Sequence, residues 1–221
     1  MKENERGRNS AAASALGYLY QVKYALFESL CRLRRGMEFV VKIETLDDVT
    51  FENEKDALEL LQTKHHLNNP ADLRDGSSDL WKTLRNWCDA FRDGIIPEGT
   101  ICVLVTTSNA SIGSAAHYLK PGESRNSDSA RQRLNTISLT STNRDNQQAY
   151  EAYQALSDDQ RKILLENTFV CDAAPDITKL DEELKEIVYG FAPKKSLASF
   201  LQRIEGWWYH RTIKHLIDKE A

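Results

Sequence analysis

The sequence predicts a mixed α/β fold with a helical C-terminal lobe. Two observations carry this reading. Several segments repeat apolar residues at steps of three and four, while shorter ones are continuous or alternating runs bounded by turn residues. Read in order, the elements are helix, three strands, helix, strand, helices, strand, helices, which is the interleaving of an α/β domain. The 221 residues suffice for one large domain or two small ones. A composition 41% hydrophobic and 28% charged supports a packed core.

The first helix is expected after Ser10, an N-cap residue, and ends at Arg34, Arg35 and Gly36. Leu16, Leu19, Val22, Leu26, Leu30 and Leu33 form its apolar stripe. Residues 1–9 are charged and read as a disordered arm. Strands are expected over Glu38–Glu44, with Val49–Phe51 continuing or following, and over 57–64. Composition favours helix for this last segment, but it is short and follows the polar turn Asn53-Glu-Lys-Asp56. Ser78 is expected to cap a helix over 79–91, with Leu80, Leu84, Trp87, Cys88 and Phe91 facing inward. Ile101–Thr107 reads as a buried strand. Residues 108–130, rich in Ser, Gly and Asn, read as a surface loop. Helices over 148–156 and 158–166, a strand over 169–172, and helices over 180–189 and 196–217 complete the chain.

Four cysteines stand in apolar contexts with no CxxC spacing, which points to reduced core thiols of a cytoplasmic protein. No two histidines stand at HxxxH spacing, which argues against a structural zinc. The charged start precedes no apolar leader and no apolar run approaches a membrane span, so neither secretion nor a membrane is expected. A net charge of −4 gives weak general attraction to DNA.

The densest chemistry lies in Glu44-Thr-Leu-Asp-Asp48 and Leu61-Gln-Thr-Lys-His65. On an extended strand Glu44, Leu46 and Asp48 would share one face, and Gln62 and Lys64 one face of a neighbouring strand, about 5 Å away. Mg²⁺ or Mn²⁺ favours hard oxygen ligands. The Asp48 carboxylate, the Gln62 amide oxygen and the Thr63 backbone carbonyl are candidates, with Glu44 or Asp47 completing a second position and Gln21 touching the site from the first helix. Lys64 would stand beside the attacking water or a phosphate oxygen. The same residues also read as a solvated turn and an exposed strand end. Among basic side chains, Lys82, Arg85, Arg125 and Arg131 are candidates for contact with DNA phosphates, and each reads also as a solvated surface charge. Trp207 and Trp208 read as packing residues of the last helix.

Ser14-Ala-Leu-Gly-Tyr-Leu-Tyr-Gln21, Glu44-Thr-Leu-Asp-Asp48, Leu61-Gln-Thr-Lys-His65, Ser78-Asp-Leu-Trp-Lys-Thr-Leu84, Val103-Leu-Val-Thr-Thr107 and Glu205-Gly-Trp-Trp208 occur in this order. Together they resemble the double-stranded-DNA endonuclease domain of bacterial anti-phage defence effectors, of the PD-(D/E)xK restriction-endonuclease-like superfamily. The resemblance covers about residues 14–215. It implies a restriction-endonuclease-like mixed sheet flanked by helices, metal-dependent hydrolysis of double-stranded DNA, and Asp48, Gln62 and Lys64 as the catalytic set. The Gln in place of Glu at 62 removes a charge from the metal site. The superfamily's first-helix Glu has Gln21 or Glu28 as its counterpart. On this reading residues 10–195 form the nuclease-like domain, and 196–221 pack on it or lead towards a regulatory or sensor partner. Activity would follow assembly, including homo-oligomerisation. A catalytically inactive module that binds nucleic acid or a partner protein, and a structural subunit docking through its last helices, are the other readings.

Overall fold

The computed structural model describes residues 2–53, 58–66, 72–189 and 191–220, with side chains from residue 11 to 218 of these. In chain order the elements are α1 (Lys2–Arg34), β1 (Val40–Ile43), β2 (Val49–Glu52), β3 (Leu58–Lys64), α2 (Ser78–Arg92), β4 (Ile101–Thr106), α3 (Ala115–Tyr118), α4 (Ser127–Thr140), α5 (Gln147–Ala155), α6 (Asp158–Glu166), β5 (Thr168–Cys171), α7 (Ile177–Val188) and α8 (Leu197–Glu220). The fold is mixed α/β, with the strands in the order β1-β2-β3-β4-β5. The chain forms two compact units: Met1–Glu54 with Pro175–Ala221 (unit 1), and Lys55–Ala174 (unit 2). Residues 2–9, expected as a disordered arm, are helical at the start of α1, and residues 54–56 of the expected turn lie outside the described residues.

Unit 2 is built on β3, β4 and β5, all parallel, with Leu61 opposite Val103 and Leu104 opposite Val170. Leu60, Leu61, Gln62 and Thr63 are buried in succession, the pattern of a strand covered on both faces. That burial is why 58–64 is a strand despite helix-favouring Leu and Glu: the ladder with β4 outweighs propensities worth a few tenths of a kcal/mol per residue. Helix α2 buries Leu80, Trp81, Leu84, Trp87 and Cys88. Trp81 is fully buried, edge-on to Tyr150 at 4.5 Å and to Tyr153 at 5.7 Å. The cap residue of α2 is Ser77 rather than Ser78, and its hydroxyl is turned to the preceding loop, accepting from the Arg74 N–H at 2.8 Å.

The surface loop expected over 108–130 is instead largely folded in. Leu73 bridges to Ala110, the Ala110 N–H donates to Asp172 Oδ2 at 2.9 Å, and Ala115, Ala116 and Leu119 are buried. Helix α4 begins at Ser127, inside the segment read as loop. Asn126 caps it by accepting from the Ser129 N–H at 2.9 Å, and its buried stripe is Ala130, Leu134 and Ser138. Small and polar residues at a four-residue step hide that stripe from a reading that looks for large apolar ones.

Unit 1 joins α1, α7 and α8 to the antiparallel hairpin β1–β2, in which Ile43 pairs with Val49. Tyr20 donates to the Pro175 carbonyl at 3.0 Å, and Trp208 Nε1 donates to the Val22 carbonyl at 2.8 Å. Lys23, on α1, forms ion pairs with Asp181 on α7 and with Glu205 on α8. Burial alone would lower the Lys23 pKa, but the two carboxylates more than offset it and hold it above the usual lysine value. Of the two tryptophans expected to pack α8, only Trp208 is buried, whereas Trp207 is 58% exposed. No helix among the described residues is long and apolar enough to cross a membrane.

Candidate functional site

The two motifs lie one in each unit. In unit 1, Glu44–Asp48 is not the extended strand expected. It is the loop joining β1 to β2, so Glu44, Leu46 and Asp48 do not alternate across a sheet face. Local chemistry explains the turn. Glu44 has φ 55°, in the left-handed region, and its N–H donates to the Asp48 carbonyl at 3.0 Å. Asp47 Oδ1 accepts from the Asp48 N–H at 2.9 Å, the self-bonding that suits aspartate to turns. Gln21, buried on α1, locks this loop: its Nε2 donates to Glu44 Oε1 at 2.9 Å and to the Asp48 carbonyl at 2.7 Å. Tyr18, one turn earlier, has its hydroxyl buried, and its pKa is raised by burial first, then by the charges of Glu44 and Tyr209. Glu28 pairs with Arg32 at 3.1 Å, and of the two first-helix candidates Gln21 is the one bonded to the motif.

In unit 2 the Gln62-x-Lys64 triplet occupies the C-terminal end of β3, where open parallel sheets place their ligand sites. Helix α2 covers its polar side. Asn86 Nδ2 donates to Gln62 Oε1 at 3.2 Å, and His66 Nε2 lies 2.6 Å from Asp79 Oδ2. Gln62 to His66 spans about 13 Å of extended chain and Asp79 to Asn86 about 10 Å of helix. Both bonds therefore form when α2 runs back along the strand. Lys64, half-buried, lies between Gln62 and His66 in the same alternation. The Thr107 hydroxyl accepts from the His66 N–H at 2.9 Å and donates to the His66 carbonyl at 3.3 Å, so the end of β4 clamps the backbone after the motif.

This cluster can hold and move a proton. A carboxylate on one imidazole nitrogen fixes the ring, and when Nε2–H donates to Asp79, Nδ1 is the acceptor. Neither His66 with Asp79 nor Asn86 stands out in a motif reading. The signal was there in two spacings: four residues along a strand and seven along a helix both return a side chain to the same face. Among the described residues no three His, Cys, Asp or Glu side chains are gathered as a metal-binding group.

The four basic candidates divide. Lys82 and Arg85 are exposed on the outer face of α2, although Arg85 also donates to Gln148 Oε1 at 2.6 Å. Arg125 is engaged by the fold. It donates to the carbonyls of Leu119, Thr168 and Glu166 at 2.7–3.1 Å and stacks on Phe169 at 3.8 Å, and burial lowers its pKa. Arg131 lies between Asp158 at 2.5 Å and Asp128 at 3.1 Å.

No protein-family model matches the chain, and comparison with curated proteins gave no match.

Proposed function

We propose that the chain is a metal-dependent endonuclease acting on double-stranded DNA, a defence effector of restriction-endonuclease-like fold. The observation that carries the reading is the Gln62-x-Lys64 triplet at the C-terminal end of a buried parallel strand, its Gln62 side chain held by Asn86. Asp48, Gln62 and Lys64 form the catalytic set that the resemblance implies, and Gln21 acts as the positioning residue of the loop that carries Asp48.

The donors that the resemblance implies, the Asp48 carboxylate in unit 1 and the Gln62 amide oxygen and Thr63 carbonyl in unit 2, are each hard oxygens of the kind Mg²⁺ or Mn²⁺ takes. With one carboxylate among them, binding should be weak and need millimolar metal. When bound, such an ion acidifies a water and offsets charge on the phosphate. Lys64 supplies a fixed positive charge for a phosphate oxygen. Asn86, by donating to Gln62 Oε1, aims that oxygen and leaves one of its lone pairs open. Of the four basic candidates, Lys82 and Arg85, exposed on α2, are the ones that would meet DNA phosphates.

The test is supercoiled plasmid with Mg²⁺ or Mn²⁺, using the full chain alone and fused to a dimerising tag, since an effector of this kind is expected to act on assembly. Cleavage by the wild type should be lost, by at least about 100-fold, in Lys64→Ala. Folding of the variant is followed by its thermal transition. Cleavage by K64A at the wild-type rate, or none by either protein in both formats, removes the reading.

A further inference from the structure

We propose that unit 1 carries a binding site for a nucleotide, a planar base joined to a phosphate, in the cavity between α8 and β1. The cavity has a volume of about 430 Å³, in the size range of small-molecule sites. Trp207, Arg211, Lys214, His215 and Asp218 line it from successive turns of α8. Their spacings of three and four put them on one face of the helix. Val41 and Ile43 of β1 supply an apolar floor.

Three properties of the lining set the ligand class. The first is an aromatic wall. Trp208 is anchored, buried and bonded through its indole N–H to the Val22 carbonyl. Trp207 lies beside it with ring centroids 6.2 Å apart, and it is 58% exposed while lining the cavity. A large aromatic face left open next to a fixed one is a stacking platform for a base, and stacking tolerates any base. The second is charge. Arg211 and Lys214 face a single carboxylate, Asp218, so the lining is net positive and suits an anion. A guanidinium in particular matches two oxygens of a phosphate at once. The third is an imidazole: His215 lines the cavity between the turns that carry Arg211 and Asp218 and adds a polar ring beside the two cations. An apolar ligand would leave the two cations and the imidazole unserved. An inorganic anion would leave the aromatic wall empty.

The chemistry is shared by a free nucleotide and by the terminal nucleotide of a strand, and the experiment separates them. The full chain, labelled with ¹⁵N at its four tryptophan indoles, is titrated with AMP, CMP, GMP and UMP, with adenosine, with inorganic phosphate and with a 5′-phosphorylated tetranucleotide. The Trp207 and Trp208 signals should move with at least one monophosphate at sub-millimolar concentration, while those of Trp81 and Trp87, buried in unit 2, stay fixed. Arg211→Ala should weaken that binding about tenfold, and Trp207→Ala should abolish it; both positions are exposed, so the fold is retained. A tetranucleotide that binds more tightly than the monophosphate assigns the site to strand ends, and the reverse assigns it to free nucleotides. The proposal falls if none of the four monophosphates shifts either indole at ~1 mM. It falls equally if phosphate alone acts as strongly, or if R211A binds as the wild type does.

Discussion

In unit 2 a continuous apolar cluster runs from Leu60 on β3 through Trp81 and Trp87 on α2 to Tyr153, Leu165 and Val170. In unit 1 the helices bury Val22, Leu26, Leu180, Leu184, Val188 and Leu201, and polar anchors cross between them: Tyr20 to the Pro175 carbonyl, Trp208 to the Val22 carbonyl, Lys23 to Asp181 and Glu205. Unit 1 also leaves large apolar side chains in solvent, Phe191 in the turn after α7 and Trp207, Ile213 and Ile217 on α8. The contrast separates stability from recognition. A closed cluster resists solvent by area removed from water. A helix layer that closes its own core and still leaves aromatic and aliphatic groups exposed on its later helix has surface to offer a ligand or partner.

The largest expected effect tests the closed cluster. Trp81→Ala removes a fully buried ring, two edge-on aromatic contacts and a donor to the Asp75 carbonyl. It should cost about 3–5 kcal/mol in urea unfolding. Trp207→Ala, at an exposed position, should stay within about 0.5 kcal/mol. Equal losses from the two would erase the distinction between a unit that holds itself by its core and one that exposes its aromatics.

The same contrast explains how much was legible in the sequence. Element order came through because hydrophobic period is a local signal, and β3 was recognisable by its shortness and by the polar turn before it. Of the inward residues read for α2, Leu80, Leu84, Trp87 and Cys88 are buried and Phe91 is half-buried, while Trp81 and Thr83 were missed and are buried because α2 is covered from more than one side. What failed depended on polar side chains finding partners far along the chain. The segment after β4 looked like loop because its Ser, Gly and Asn are turn residues, yet Asp172 and Asp75 fold it in by accepting from the Ala110 and Ala115 N–H groups. In the candidate site, Gln62 and Lys64 were visible as a motif, whereas Asn86 and Asp79 became part of it only through the path of α2. Asp48 was visible too, but its loop geometry was not, since a positive φ at Glu44 carries no sequence signature when the residue is not glycine.

A smaller effect is expected at the loop carrying Asp48. Gln21→Ala removes a buried donor and with it two hydrogen bonds, to the exposed Glu44 carboxylate and to the half-buried Asp48 carbonyl, and should cost about 1–3 kcal/mol. Gln21→Glu should be worse than alanine at neutral pH, because it sets a second carboxylate against Glu44 and the Asp48 carbonyl. Unfolding midpoints rank the two variants, and hydrogen exchange at the Asp48 and Val49 amides reports whether the loop itself loosens. If Q21E is as stable as the wild type, the amide donor is not what holds the loop, and the positioning role given to Gln21 goes with it.

The smallest effect concerns how α7 starts, and it has a pH signature. Asp176 is the N-cap: its Oδ1 accepts from the Thr178 N–H at 3.0 Å, the Lys179 N–H at 3.0 Å and the Thr178 hydroxyl at 2.6 Å. These bonds favour the ionised carboxylate, the Thr178 hydroxyl most of all, and its pKa is lowered from the ordinary aspartate value. A group with a lowered folded pKa binds its proton more readily when unfolded. Its contribution is therefore complete above the unfolded pKa, about 3.9, and is lost as pH falls through the lower folded value. Asp176→Ala should cost about 1 kcal/mol at neutral pH. The charged part of this is partly screened, because the cap is near solvent. Asp176→Asn keeps an acceptor oxygen without the charge, so it should cost less than alanine at neutral pH. Its deficit against the wild type should close as the solution is taken below pH ~3.9. Urea midpoints of the three proteins at neutral and acid pH measure this. A deficit of D176N that widens on acidification would have the opposite sign, and would show that the proton is bound more readily in the folded cap than in the unfolded chain.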